Sequence, residues 1–144
     1  MTASIQILLK PHIVDVKGNK VASKCLNQLG IETGKVKSSK LFSVNYEASE
    51  DDLKDYANRC IKDAVTDEIL VNTLYQPSEF QSCIAIAQLP GVTDDEGTSA
   101  QMAWVDFFNI NADVKTQHIF TQEIYYTNIM EYTFQYIWCI SYIF

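Results

Sequence analysis

The sequence predicts an α+β fold in which antiparallel sheets carry helices on one face and two copies of one unit share an interface. Three observations predict it. Lys10-Pro11-His12-Ile13-Val14-Asp15-Val16-Lys17-Gly18 aligns with Leu89-Pro90-Gly91-Val92-Thr93-Asp94-Asp95-Glu96-Gly97, matching Pro, Asp and Gly at an offset of 79. Val36-Lys37-Ser38-Ser39-Lys40-Leu41-Phe42 aligns with Val114-Lys115-Thr116-Gln117-His118-Ile119-Phe120 at an offset of 78, which needs a one-residue gap. Within each copy, period-two alternation gives way to helical spacing and back again. The expected division is a first unit over 1–75, a connector over 76–81 and a second unit over 82–144.

In the first unit Ile5, Ile7 and Leu9 alternate with Ser4, Gln6, Leu8 and Lys10, a strand buried mainly on one face and ended by Pro11. Gly18, Val21, Cys25 and Leu29 recur at helical spacing, with Asp15 as N-cap and Gly30 as the stop, so a helix is expected over about 16–29. From Lys35 to Tyr46, Val36, Phe42, Val44 and Tyr46 share one parity, and Lys35, Lys37, Ser39, Ser43 and Asn45 share the other. This is a long strand with a polar face. Leu53, Tyr56, Ala57, Cys60, Ile61 and Ala64 follow i, i+3, i+4, i+7, i+8, i+11, the clearest helical signal in the chain. Ser49 and Asp52 form a capping box at its start, where Glu50 and Asp51 suit the helix dipole. Ile69 to Leu74 reads as a third strand.

The second unit repeats the order. Cys83 to Leu89 is a strand, Thr93-Asp94-Asp95-Glu96 opens a helix to about Phe108, and Val114 to Tyr126 is the long strand. Thr127 to Phe144 is expected as a buried helix, being apolar all round; a membrane anchor is disfavoured by its shortness, by Glu131 and Gln135, and by the lack of flanking basic residues. The second unit has no counterpart of the first unit's last strand, so the polypeptide is expected to continue.

A length of 144 residues suits one compact domain or two half-size repeats, and 47% hydrophobic with 20% charged residues excludes a disordered chain. The net charge of −7 is uneven: ten of the eleven basic residues precede Tyr75 and face ten acids there, while Lys115 alone faces eight acids afterwards. The absence of a basic stripe argues against nucleic acid or an anionic membrane as the main partner, because neutralising phosphates needs clustered Lys and Arg. Cys25, Cys60, Cys83 and Cys139 lie far apart without metal spacing and read as small buried hydrophobes in a reducing, cytoplasmic setting.

Neither His12 nor His118 has a Ser or Cys nearby in sequence to act as nucleophile. Glu50-Asp51-Asp52 and Asp94-Asp95-Glu96 sit at helix starts, where carboxylates are expected for capping. Walker, G-x-G-x-x-G, H-E-x-x-H and G-x-S-x-G motifs do not occur, so no catalytic, cofactor-binding or metal residue is assigned. The cations on the long strands are more informative. Lys35 and Lys37 project from one face of the first and Lys40 from the other, and Lys115 and His118 are expected to take the places of Lys37 and Lys40 in the second. They either keep exposed strands soluble or meet an acidic partner.

The order strand, Lys10-Pro11-x-x-x-Asp15-x-x-Gly18, helix, Leu29-Gly30, then Val36-Lys37-x-x-Lys40 on a long strand resembles the small subunit of phosphoribosylformylglycinamidine synthase. The usual pattern there is K-P-G-V-x-D-x-x-G, a helix ending in L-G, and V-R-x-G-K. Here His12 replaces the first glycine, Lys37 the arginine and Ser39 the second glycine, so the bidentate geometry of an arginine is not offered. Through Leu89 to Gly97, the second unit resembles the same pattern in the large single-chain form of the enzyme, where two fused N-terminal units imitate the small subunit's dimer.

The resemblance implies two PurS-like β-α-β-α-β units in a pseudo-dimer and a role without chemistry of its own. The family's enzyme converts formylglycinamide ribonucleotide, glutamine and ATP to formylglycinamidine ribonucleotide, and this part bridges its synthetase and glutaminase components. ATP and Mg are then expected in the catalytic part and no cofactor in this chain. Lys10, Lys37, Lys40, Lys115 and His118 are the candidate partner contacts, self-association is allowed, and a stand-alone ligand-binding regulatory module is the alternative.

Overall fold

The structure is a computed structural model that describes residues 3–89, 92–110 and 118–129. Strands β1 (Ala3–Leu9), β2 (Lys37–Val44), β3 (Asp67–Val71), β4 (Ser82–Ala87) and β5 (Ile119–Thr127) form one sheet in the order β3-β1-β2-β5-β4, with every neighbouring pair antiparallel. Helices α1 (Val16–Leu29), α2 (Glu50–Tyr56) and α3 (Asp95–Phe108) complete it, and a π-helical turn over Ala57–Ile61 extends α2. The α+β expectation holds for the described residues, but as a single continuous sheet. The final segment expected as a helix lies, from residue 130 onward, outside the described residues. Among those described, no helix is long and apolar enough to cross a membrane.

Pleat parity sorts the sheet into two faces. Ile5 lies opposite Phe42 on one side and Val71 on the other, and Val44 lies opposite Ile119. These five residues share a core with Leu53, Tyr56, Ala57, Ala100 and Trp104 from the helices. Trp104 is 2% exposed and packs edge-to-face against Tyr56 at 4.7 Å and at a tilt against Phe108 at 4.5 Å between ring centroids. The Tyr56 hydroxyl donates to the Ala100 carbonyl at 2.5 Å, so this core joins residues from both halves of the chain.

The other face was expected to be polar and is half covered. Gln6 is fully buried; its amide nitrogen donates to the Ser39 hydroxyl and the Tyr126 hydroxyl, both at 2.8 Å, and its amide oxygen accepts from the Tyr75 backbone N–H at 2.7 Å. Residues 72–81 fold back over this face, where Tyr75 and Phe80 pack on Leu41, Ile124 and Tyr126. A buried amide is tolerated here because its donor and acceptor groups are satisfied.

Several boundaries move for local reasons. α1 has the expected limits, with the Asp15 carboxylate accepting from Gly18 N–H at 2.7 Å and Gly30 in the left-handed conformation at its end. Its far end leaves the sheet, so Leu29 is 65% exposed rather than inward. The Ser49–Asp52 capping box is present. The helical phase over 53–64 breaks at the π turn, which carries Ile61 against the core and leaves Cys60 outside; Ala64 lies beyond the turn. β3 stops at Val71 because Asn72 turns left-handed (φ 53°) and exchanges hydrogen bonds with Ser4. Cys60 and Cys83 are exposed and Cys25 half-buried, which corrects the expectation of buried cysteines; Cys139 lies outside the described residues.

The repeat alignment is corrected on its second strand. Asp94 accepts from Gly97 N–H at 2.8 Å as Asp15 does from Gly18, two like caps 79 residues apart. Asp15 also accepts from the backbone and hydroxyl of Ser38, and Asp94 from those of Thr121. Gly18 lies against the Val36 carbonyl and Gly97 against the Ile119 carbonyl, each so close that a Cβ would overlap the oxygen. The strands therefore correspond at an offset of 83. Phe120 and Glu123, not Lys115 and His118, take the places of Lys37 and Lys40, because four extra residues precede β5. Lys115 itself lies outside the described residues.

Candidate interaction site

The cations singled out from the sequence do not converge on one spot. Lys10 closes the turn after the π segment: its ammonium donates to the Ala64 and Val65 carbonyls at 2.7 and 2.9 Å. Lys37 stands on the face shared with Tyr126, donates to the Tyr75 hydroxyl at 3.0 Å and lies 4.3 Å from the centre of that ring. Lys40 stands on the helix-bearing face and donates to both Glu96 carboxylate oxygens at 2.6 and 2.5 Å. His118 lies one residue before β5, half-buried, with its ring 5.6 Å from that of Phe120, which is 52% exposed.

The sequence reading missed the partners of these groups. Lys17, at the start of α1, forms an ion pair with Glu123 in the middle of β5. Burial alone would raise the Glu123 carboxyl. Hydrogen bonds from Lys17 and Tyr125, with the charges of Lys17 and Lys40, hold it below the usual carboxylate range. One signal for it was present, since Glu123 is the lone charge in Ile-Phe-Thr-Gln-Glu-Ile-Tyr-Tyr-Thr, the whole of β5. A single charge at the centre of an otherwise uncharged strand needs a partner across the sheet or from a covering helix.

Desolvation raises the thiols of Cys60 and Cys83, the reverse of an activated thiolate. Burial likewise raises the Tyr126 phenol, partly offset by its bond from Gln6. A groove of about 510 Å³ between α3 and the π turn is lined by Lys40, Asp67, Asp95 and Glu96, among others. Among the described residues, no three His, Cys, Asp or Glu side chains come together to hold a metal ion. Lys10, Asp15, Lys40 and Asp94 are engaged in a turn, two helix caps and a contact between elements.

That is the meaning of the Lys-Pro-x-x-x-Asp-x-x-Gly order. Lys10 ties the first strand's end to the turn before β3, Asp15 caps α1 and grips Ser38, and Gly18 lets α1 touch the backbone at Val36, just before β2. The motif fixes how one helix sits on one sheet. The family model described as PurS, phosphoribosylformylglycinamidine (FGAM) synthase, matches residues 2–82, more than half of the chain. The chain belongs to the PurS family. A PurS protein is a component of FGAM synthase in purine biosynthesis and associates with the enzyme's other subunits. No curated protein and no solved structure gave a match. The matched span ends where β4 begins, so it takes in the PurS elements from β1 to β3 and the covering segment over Gln6.

Proposed function

We propose that this PurS chain is a non-catalytic bridging module of FGAM synthase, in which two PurS-like units, 1–75 and 82–144, stand in for a dimer and link the synthetase and glutaminase parts. The observation that carries this reading is the correspondence of the two halves. β1 and β4, α1 and α3, and β2 and β5 correspond in order, and the two Asp-x-x-Gly caps make the same bonds to the same backbone positions. In the β2–β5 ladder Lys40 lies opposite Glu123, which is its own counterpart under the strand offset. That is the register of a local two-fold axis passing between the central strands.

In this reading ATP and its Mg belong to the synthetase part, and the chain supplies surface rather than reacting groups. Among the partner-contact candidates, His118 beside the exposed ring of Phe120 suits a contact better than Lys10 or Lys40, whose ammonium groups are held by carbonyls and by Glu96. Antibody against residues 35–75 should precipitate glutamine- and ATP-dependent formation of FGAM from source-cell extract. A precipitate that contains the chain but no such activity would overturn the bridging role. Saturable binding of a small ligand by that inactive chain would favour a regulatory module instead.

The two-unit reading has its own test. A protease site placed at Ser78–Glu79, both exposed, should yield two fragments that co-elute without denaturant, because Tyr56, Ala100 and Trp104 pack across the cut. Fragments that separate while each stays folded would contradict a shared core.

A further inference from the structure

The two ion pairs that flank the central strands correspond to one another with their signs exchanged. Lys17 is the second residue of α1 and Glu96 the second residue of α3; Lys40 and Glu123 are the two residues that face each other where β2 meets β5. The Lys17–Glu123 pair runs from the first half's helix to the second half's strand, and the Glu96–Lys40 pair runs from the second half's helix to the first half's strand. Carrying each residue onto its counterpart turns one pair into the other. The two halves keep the same geometry at these four positions and carry opposite charges.

We propose that these four charges make the central interface selective: the first half pairs with the second half of the chain and rejects a second copy of itself. This inference rests on the two-unit reading above. Pairing two first halves through the same strand would set Lys17 against Lys40 twice and Lys40 against Lys40 at the axis. Pairing two second halves would set Glu96 against Glu123 twice and Glu123 against Glu123. Unlike halves place opposite charges at all three contacts. Partly exposed ion pairs add little stability each, but discrimination is set by the difference between the right and the wrong pairing, and like charges in the wrong one enlarge that difference. The hydrophobic effect is non-directional and carries no sign, so the charges add a choice that area burial alone does not. Beside these four, the Tyr125 hydroxyl donates to Glu123 at 2.6 Å, and Asp67 and Asp95 line the groove that Lys40 and Glu96 share, the same in every charge-exchanged variant.

Charge exchange in the whole chain tests this without altering net charge. Lys40→Glu with Glu123→Lys leaves the axis pair opposite in sign but sets like charges at both flanking contacts, and Lys17→Glu with Glu96→Lys does the same from the helices. Each double variant should melt about 5 °C below the wild type at low ionic strength, with the difference shrinking in high salt. The quadruple variant, with all four changes, restores unlike charges at every contact and should melt within about 1 °C of the wild type. A quadruple variant that loses as much as the two doubles together would overturn the proposal, as would losses that salt does not touch. Failure of the underlying reading shows differently, as halves that part after cleavage at Ser78–Glu79. Halves that stay together while the quadruple variant is not rescued remove only the charge-based selectivity.

Discussion

Replacing Trp104 by alanine is expected to cost about 3–5 kcal/mol of folding free energy, the range for an aromatic side chain removed from a filled core. Trp104 is 2% exposed and touches Tyr46, Tyr56 and Phe108 at ring-centroid distances of 5.2, 4.7 and 4.5 Å. Tyr46 and Tyr56 belong to the first half of the chain, so the cavity opens at the seam between the halves, where neither can collapse alone. Set against a typical domain stability of about 5–15 kcal/mol, the variant sits near the limit of folding. Met102, on the same helix but 65% exposed, is the control: Met102→Ala should fall within about 0.5 kcal/mol of the wild type. Urea unfolding followed by tryptophan-independent circular dichroism reads both. A loss for Trp104→Ala below about 1 kcal/mol would mean that the seam is not packed as described.

The legible parts of the fold are those whose cause is local. Asp15, Gly30, Ser49 and Asp52 announce caps by residue type and spacing, and the structure places all four as expected. The parity of Val36, Phe42, Val44 and Tyr46 announces a buried face, and all four are buried. What was not legible depends on partners far away in the chain. Gln6 reads as an outward polar residue until Tyr75 and Tyr126, 69 and 120 residues on, close over it. The four extra residues before β5 leave no mark of their own, and a chance Val-Lys match drew the second strand into the wrong register. That error hid the counterpart of Lys40, and with it the pairing of Lys40, Lys17, Glu96 and Glu123. The π turn is illegible for another reason: Ala57, Cys60 and Ile61 satisfy the ordinary helical period, and only the core decides that Ile61 alone follows Ala57 inward.

Asp15→Ala and Asp94→Ala should each cost about 3 kcal/mol, and by nearly the same amount, because each carboxylate holds the same three donors. It accepts the cap N–H of Gly18 or Gly97, worth about 1 kcal/mol in an ordinary N-cap. It also accepts a backbone N–H and a hydroxyl from Ser38 or Thr121, charge-assisted bonds of about 1.5–3 kcal/mol when made, and a penalty when the donor is left without a partner in a half-buried strand. No other part of the chain has this arrangement among the described residues, so near-equality of the two losses is expected from the matching bonds of these two carboxylates rather than from carboxylates in general. Asp→Asn at either place keeps one acceptor oxygen and turns an amide toward a donor, so it should recover less than half of the loss. Urea midpoints of the four variants decide the matter. A large loss at Asp15 with none at Asp94 would show that the second cap is not gripped by β5, and the correspondence of Thr121 with Ser38, on which the local two-fold axis depends, would fall with it.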